Sequence, residues 1–154
     1  AFISRKLDCD FINLGFSGAA KGEPVLAEYI AGLKMSAFVM DYDHNAPNAE
    51  HLLNTHKAFF EIIRKKQPDL PVIFVTKPDA GLDEENQARR EAILGTYMSA
   101  RQSGDKNVYF IDGYSLFPDA ARHDCTVDGC HPNDLGMYFM AERIGGVLAY
   151  IMRK

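Results

Sequence analysis

Short apolar runs alternate along this chain with longer segments of helical period, and that alternation limits the fold more than any other feature. Residues 37–40 (Ala-Phe-Val-Met), 71–76 (Pro-Val-Ile-Phe-Val-Thr) and 107–112 (Asn-Val-Tyr-Phe-Ile-Asp) have the length and continuous apolarity of strands buried on both faces. Residues 11–14 (Phe-Ile-Asn-Leu), stopped by Gly15, add a further strand. Helices are expected between them. One spans 24–33, where Pro24 is tolerated in the first turn. The next spans 48–66, with Leu52, Leu53, Phe59, Phe60 and Ile63 as its apolar stripe. A charged one spans 83–102, with Ile93, Tyr97 and Met98 inward. The last starts near Asn133, a good N-cap, and turns Met137, Met140, Ile144, Val147, Leu148 and Ile151 to the core. Residues 1–7 read as the last turns of another helix. Repeated strand–helix alternation implies an α/β protein with a mostly parallel sheet covered on both faces.

No repeat, linker or low-complexity tract divides the chain, so residues 1–154 are expected to form a single domain. A net charge of −4 gives no general attraction to nucleic acid or to anionic membranes. The basic runs Arg64-Lys65-Lys66 and Arg153-Lys154 each close an expected helix, where they complement its dipole. No apolar run approaches the roughly 18 residues that a membrane span needs. Three cysteines, Cys9, Cys125 and Cys130, are an odd number and form no disulfide framework.

In parallel sheets ligands sit beyond the carboxyl ends of the strands, so the polar residues that follow each strand carry the interest. These are Gly15–Gly18, Asp41–Asn45, Lys77–Asp79 and Asp112–Ser115, joined by the loop over 118–132. Asp-Gly-Cys-His-Pro-Asn-Asp at 128–134 is the most informative stretch. Nucleophilic hydrolysis by a serine needs an imidazole to take the hydroxyl proton and a carboxylate to hold that ring. Asp128 and His131, three apart with Gly129 allowing a sharp bend, suit those two roles. An ordinary turn at a helix start with a surface histidine fits the same residues equally well.

Asn-Leu-Gly-Phe-Ser-Gly at 13–18 is a strand running into a glycine-bracketed turn, whose backbone N–H groups could face a developing oxyanion. Ser17 is rejected as a nucleophile, because Gly-Phe-Ser-Gly lacks the Gly-x-Ser-x-Gly spacing. Asp-Tyr-Asp-His-Asn at 41–45 ends at an amide that could donate to the same charge.

Taken together, these three segments resemble the blocks of the SGNH, or GDSL-type, hydrolases, and the resemblance runs over essentially the whole chain. It implies a flavodoxin-like three-layer α/β/α sandwich and an activity on carboxylic esters, lipid or carbohydrate acyl groups among them. Gly18 then corresponds to the backbone oxyanion donor, Asn45 to the side-chain donor, and Asp128 and His131 to the acid–base pair. His44 replaces the glycine usual before that Asn. The first, serine-bearing block is absent, so the nucleophile is expected upstream of Ala1 and this chain alone is expected to be inactive or nearly so. The strand carrying that block belongs between residues 11–14 and 37–40, so the sheet is expected to lack its first central strand.

Other readings remain. No Gly-rich phosphate loop argues for a nucleotide or flavin, and no cofactor or metal is expected. His123, Cys125, Cys130 and His131 have a spacing that does not match the common zinc ribbons. His51 and His56 lie five apart on a helix, not the four that aligns two ligands. Cys130 as a nucleophile is disfavoured, since its side chain should point away from an imidazole next to it in sequence. A non-catalytic binding module derived from a degenerate hydrolase is the alternative to an enzyme.

Overall fold

The structure, a computed structural model, describes residues 1–78 and 83–153. Asp79 and Lys154 therefore lie outside the described residues. Helix α1 (Phe2–Leu7) is followed by α2 (Pro24–Ala31), with proline in its first turn. Strand β1 (Phe38–Met40) leads through a short 3-10 turn at Asp43–Asn45 into α3 (Ala49–Lys66). Strand β2 (Val72–Val75), α4 (Glu84–Gln102), β3 (Val108–Ile111) and α5 (Asp134–Met152) complete the chain. Asn48, Asp83 and Asn133 cap the last three helices, each accepting from a backbone N–H three residues on.

The strands pair in the order β1-β2-β3, all parallel, with Met40 opposite Phe74 and Val75 opposite Ile111. Period-two alternation then builds two cores. Met40, Val72, Phe74 and Val108 face α2, α3 and α4, meeting Ile30, Leu52, Phe60, Ile63 and Ile93. Ile73, Val75 and Ile111 face the other way, onto Ile144 and Ile151 of α5 and Ile3 of α1. The result is an α/β/α sandwich whose strands end together at one edge.

The expected strand at 11–14 does not form. Among the described residues no strand pairs with this segment, and Phe11 and Ile12 are 62% and 60% exposed. A strand exists only through hydrogen bonds to a neighbour, and among the described residues β1 pairs with β2 alone. Only Leu14 packs against the core. Three helical positions expected inside are also exposed: Leu53, Met98 and Met137. Each follows a residue that already faces inward (Leu52, Tyr97 and Gly136), and consecutive helical positions point about 100° apart.

Candidate active site

Three loops meet the carboxyl edge of the sheet. The loop before α5 is closed by its own hydrogen bonds. Thr126 and Pro132 form an antiparallel bridge, Val127 N–H donates to His131 O at 2.9 Å, and Asn133 N–H to Cys125 O at 3.0 Å. Gly129 takes the tip at φ 82°, a left-handed conformation suited to glycine. Within this loop Asp128 is bonded three ways. Oδ1 accepts from the backbone N–H groups of Cys130 (3.0 Å) and His131 (2.7 Å), while Oδ2 lies 2.7 Å from His131 Nδ1.

These contacts hold the Asp128 carboxyl down at about 2, first through the His131 N–H, then the imidazole and the Cys130 N–H. A carboxylate at Nδ1 selects the tautomer with its hydrogen there, leaving the Nε2 lone pair to accept a proton. The His131 side chain is 76% exposed, so a reacting group can reach it.

The loop after β1 is buried on its inner side. Tyr42 packs into the core, and Asp43, only 1% exposed, starts the 3-10 turn. Asn45 N–H donates to Tyr42 O at 3.0 Å. Asp43 Oδ2 accepts from Lys77 N–H at 2.9 Å, which fastens the turn to the end of β2. Behind it Arg89 of α4 donates to Asp43 O, Asp43 Oδ1 and Ala46 O. Asp41, at the end of β1, has its carboxyl raised to about 7 by the protein packed round it and then by Asp43. Its surface is open to solvent, which screens part of that effect.

The third loop carries Gly18. Ser17 and Gly18 have φ of 49° and 84°, and Ala19 N–H donates to Phe16 O at 3.0 Å, a two-residue turn with both central residues left-handed. Further on, His51 Nε2 of α3 lies 2.7 Å from Lys21 O, and Gly22 packs on the Tyr42 ring. A Cβ on Gly22 would sit 2.7 Å from the Tyr42 hydroxyl oxygen.

The four residues singled out in the sequence thus fall on neighbouring loops. Asp128 and His131 are bonded directly. The Asn45 turn meets them through its neighbour, since Cys130 Sγ lies 3.6 Å from His44 Nδ1. Gly18 is linked more remotely, through Lys21 and Gly22 to α3 and Tyr42.

Arg89 escaped the sequence reading, although it heads the inward stripe Arg89, Ala92, Ile93, Thr96 and Ala100 of α4. His56 is a core residue, sharing a 2.9 Å hydrogen bond with Thr96 and lying among Tyr42 and Phe74. Cys125 Sγ turns inward to Ala121 O at 3.1 Å, away from the loop tip that carries Cys130 and His131. Among the described residues no disulfide joins any of the three cysteines. Among the described residues no three His, Cys, Asp or Glu side chains converge as metal ligands, and no helix is long and apolar enough to cross a membrane.

No curated protein sequence matches the chain. A solved structure described as a GDSL-like lipase from Bacteroides ovatus superposes with a TM-score of 0.84 and 31% identity, over 98% of this chain and 46% of that one. The salicylyl-acyltransferase SsfX3 of a tetracycline biosynthetic pathway superposes with a TM-score of 0.79 at 17% identity, over 97% of this chain and 48% of that one, and shares the fold. The chain therefore spans about half the length of these two structures. Residues 1–149 match the GDSL-like Lipase/Acylhydrolase family, and the chain belongs to that family.

Proposed function

We propose that this chain supplies the acid–base pair and the oxyanion hole of a serine-dependent ester hydrolase. The carrying observation is the closed Asp128–His131 loop, in which one carboxylate holds both the backbone and the imidazole of His131. The nucleophile of this reading is a serine outside residues 1–154. His131 Nε2 takes the serine proton as the hydroxyl oxygen attacks the ester carbonyl, then returns it to the leaving alcohol. Asp128 stabilises the imidazolium in between. The Gly18 N–H and the Asn45 amide face the negative oxygen of the tetrahedral intermediate. Losing one such donor costs about 3 kcal/mol of transition-state stabilisation. Water then hydrolyses the acyl-enzyme by the same relay in reverse.

Family membership supports acyl-group chemistry in general. Short acyl esters, including acetyl groups on carbohydrate, are the proposed substrates. The test compares residues 1–154 with a polypeptide extended upstream, using a short-chain aryl ester. Turnover by the longer chain and none by the shorter is expected. Equal rates for the two would place the nucleophile within residues 1–154 and overturn the assignment.

A further inference from the structure

We propose that Arg89 is the positioning residue for Asn45, fixing the turn that presents its amide to the oxyanion. The proposal rests on the reading of Asn45 as an oxyanion donor. Arg89 is 8% exposed, and its guanidinium sits beneath the 3-10 turn. Nη1 donates to Asp43 O at 2.9 Å and Nη2 to Ala46 O at 2.9 Å, so one planar fork holds the carbonyls on both sides of Asn45. Nη1 also lies 3.2 Å from Asp43 Oδ1, and Nε donates to Glu85 Oε1 at 2.8 Å. That same Glu85 oxygen accepts from Ala49 N–H, the first residue of α3. The turn is thereby held at its start, at its end and at the helix that follows.

Burial of a guanidinium–carboxylate pair adds little to stability compared with apolar residues of the same volume. What the pair does add here is geometry. A guanidinium presents its donors in a fixed plane, whereas an ammonium is a point charge on a flexible stem. Lysine at this position keeps the charge opposite Asp43 but cannot span Asp43 O and Ala46 O together. The described hydrogen bond of Asn45 is its N–H to Tyr42 O within the turn, so its placement follows the turn that Arg89 grips. A shift of about 1 Å in a catalytic group can lower turnover about 100-fold.

The test uses the longer, serine-containing polypeptide and the variants Arg89→Lys, Asn45→Ala and their combination. Arg89→Lys is expected to lower kcat roughly 10- to 100-fold with KM little changed. Asn45→Ala in the Arg89→Lys background is then expected to add little, because both remove the same stabilisation. Multiplying effects would show that Arg89 acts elsewhere and overturn the proposal. A second measurement needs no activity: the Asn45 side-chain amide resonances and backbone amide exchange by NMR. Shifted resonances with faster exchange in Arg89→Lys support the proposal, and an unchanged Asn45 overturns it. Should the longer polypeptide hydrolyse no ester, the functional reading fails on its own, and the NMR comparison still decides whether Arg89 places Asn45. If Arg89→Lys does not fold, Asp43→Asn replaces it in both measurements. It weakens the grip of Arg89 while keeping the shape of the turn.

Discussion

Cys130 Sγ lies 3.6 Å from His44 Nδ1 across 86 positions of sequence, joining the turn that carries Asn45 to the loop that carries His131. A group added to this sulfur would therefore stand between the two halves of the proposed site. N-ethylmaleimide is expected to abolish ester hydrolysis by the longer polypeptide, and the Cys130→Ala variant is expected to resist it. Residual activity after labelling measures both. Equal inactivation of the variant would place the sensitive thiol elsewhere.

Replacing Asp128 with asparagine removes the charge but keeps the size of the side chain. The imidazole then loses its preferred tautomer and the stabilisation of its protonated form. kcat/KM is expected to fall about 100- to 10,000-fold, as read from initial rates. The intact carboxyl, held at about 2, is already ionised throughout the working range. The acid limb of the wild-type pH–rate profile should therefore carry no second ionisation from this carboxyl group. A second ionisation traced to Asp128 would contradict this assignment of the pair.

His56 makes folding sensitive to acid. Burial lowers its imidazole from 6.5 to about 3. The unfolded chain takes up a proton near 6.5, while the folded chain resists doing so until about 3. Stability attributable to this group is therefore complete above 6.5 and falls by about 1.4 kcal/mol per pH unit below it. The loss levels off near 3. His56→Gln should flatten the dependence of the urea midpoint between pH 6.5 and 4. Parallel curves for the two proteins would rule out His56 as its source.

Two glycines of α5 are expected to respond oppositely to alanine. A Cβ on Gly136 would lie 2.1 Å from Cys125 O, the carbonyl that anchors the base of the Asp128–His131 loop. Gly136→Ala should cost about 1–3 kcal/mol and displace that loop. A Cβ on Gly146 meets nothing within 4 Å, so Gly146→Ala should stabilise the helix by roughly 0.5–1 kcal/mol. Urea midpoints of the two variants on opposite sides of the parent would agree with this. Shifts in the same direction would not.

Features written in local sequence were legible before the structure was known. Pro24 in the first turn of α2, the Asn133 cap and the Asp128-x-x-His131 spacing involve groups within three residues of one another. Features decided by distant partners were not. Phe11–Leu14 has strand composition, but a strand's hydrogen bonds come from another segment, and among the described residues no strand pairs with it. Leu53 and Met98 are as apolar as their inward neighbours, and only the packing of α3 and α4 decides which one is covered. Arg89 reads in the sequence as one more charge on a polar helix, and only its contact with Asp43, 46 residues earlier, places it beneath the Asn45 turn.

The Asp128–His131 loop closes on itself, with both partners inside one hairpin pinned by the Thr126–Pro132 bridge. Thermal breathing of the sandwich should therefore carry the dyad as a rigid body, preserving its internal distance. The separation free to vary is then the one between this hairpin and the Asn45 turn, where the contact between Cys130 Sγ and His44 Nδ1 is 3.6 Å. On the proposed function, the width of that gap, rather than the internal geometry of the dyad, would set how bulky an acyl group fits between the two loops.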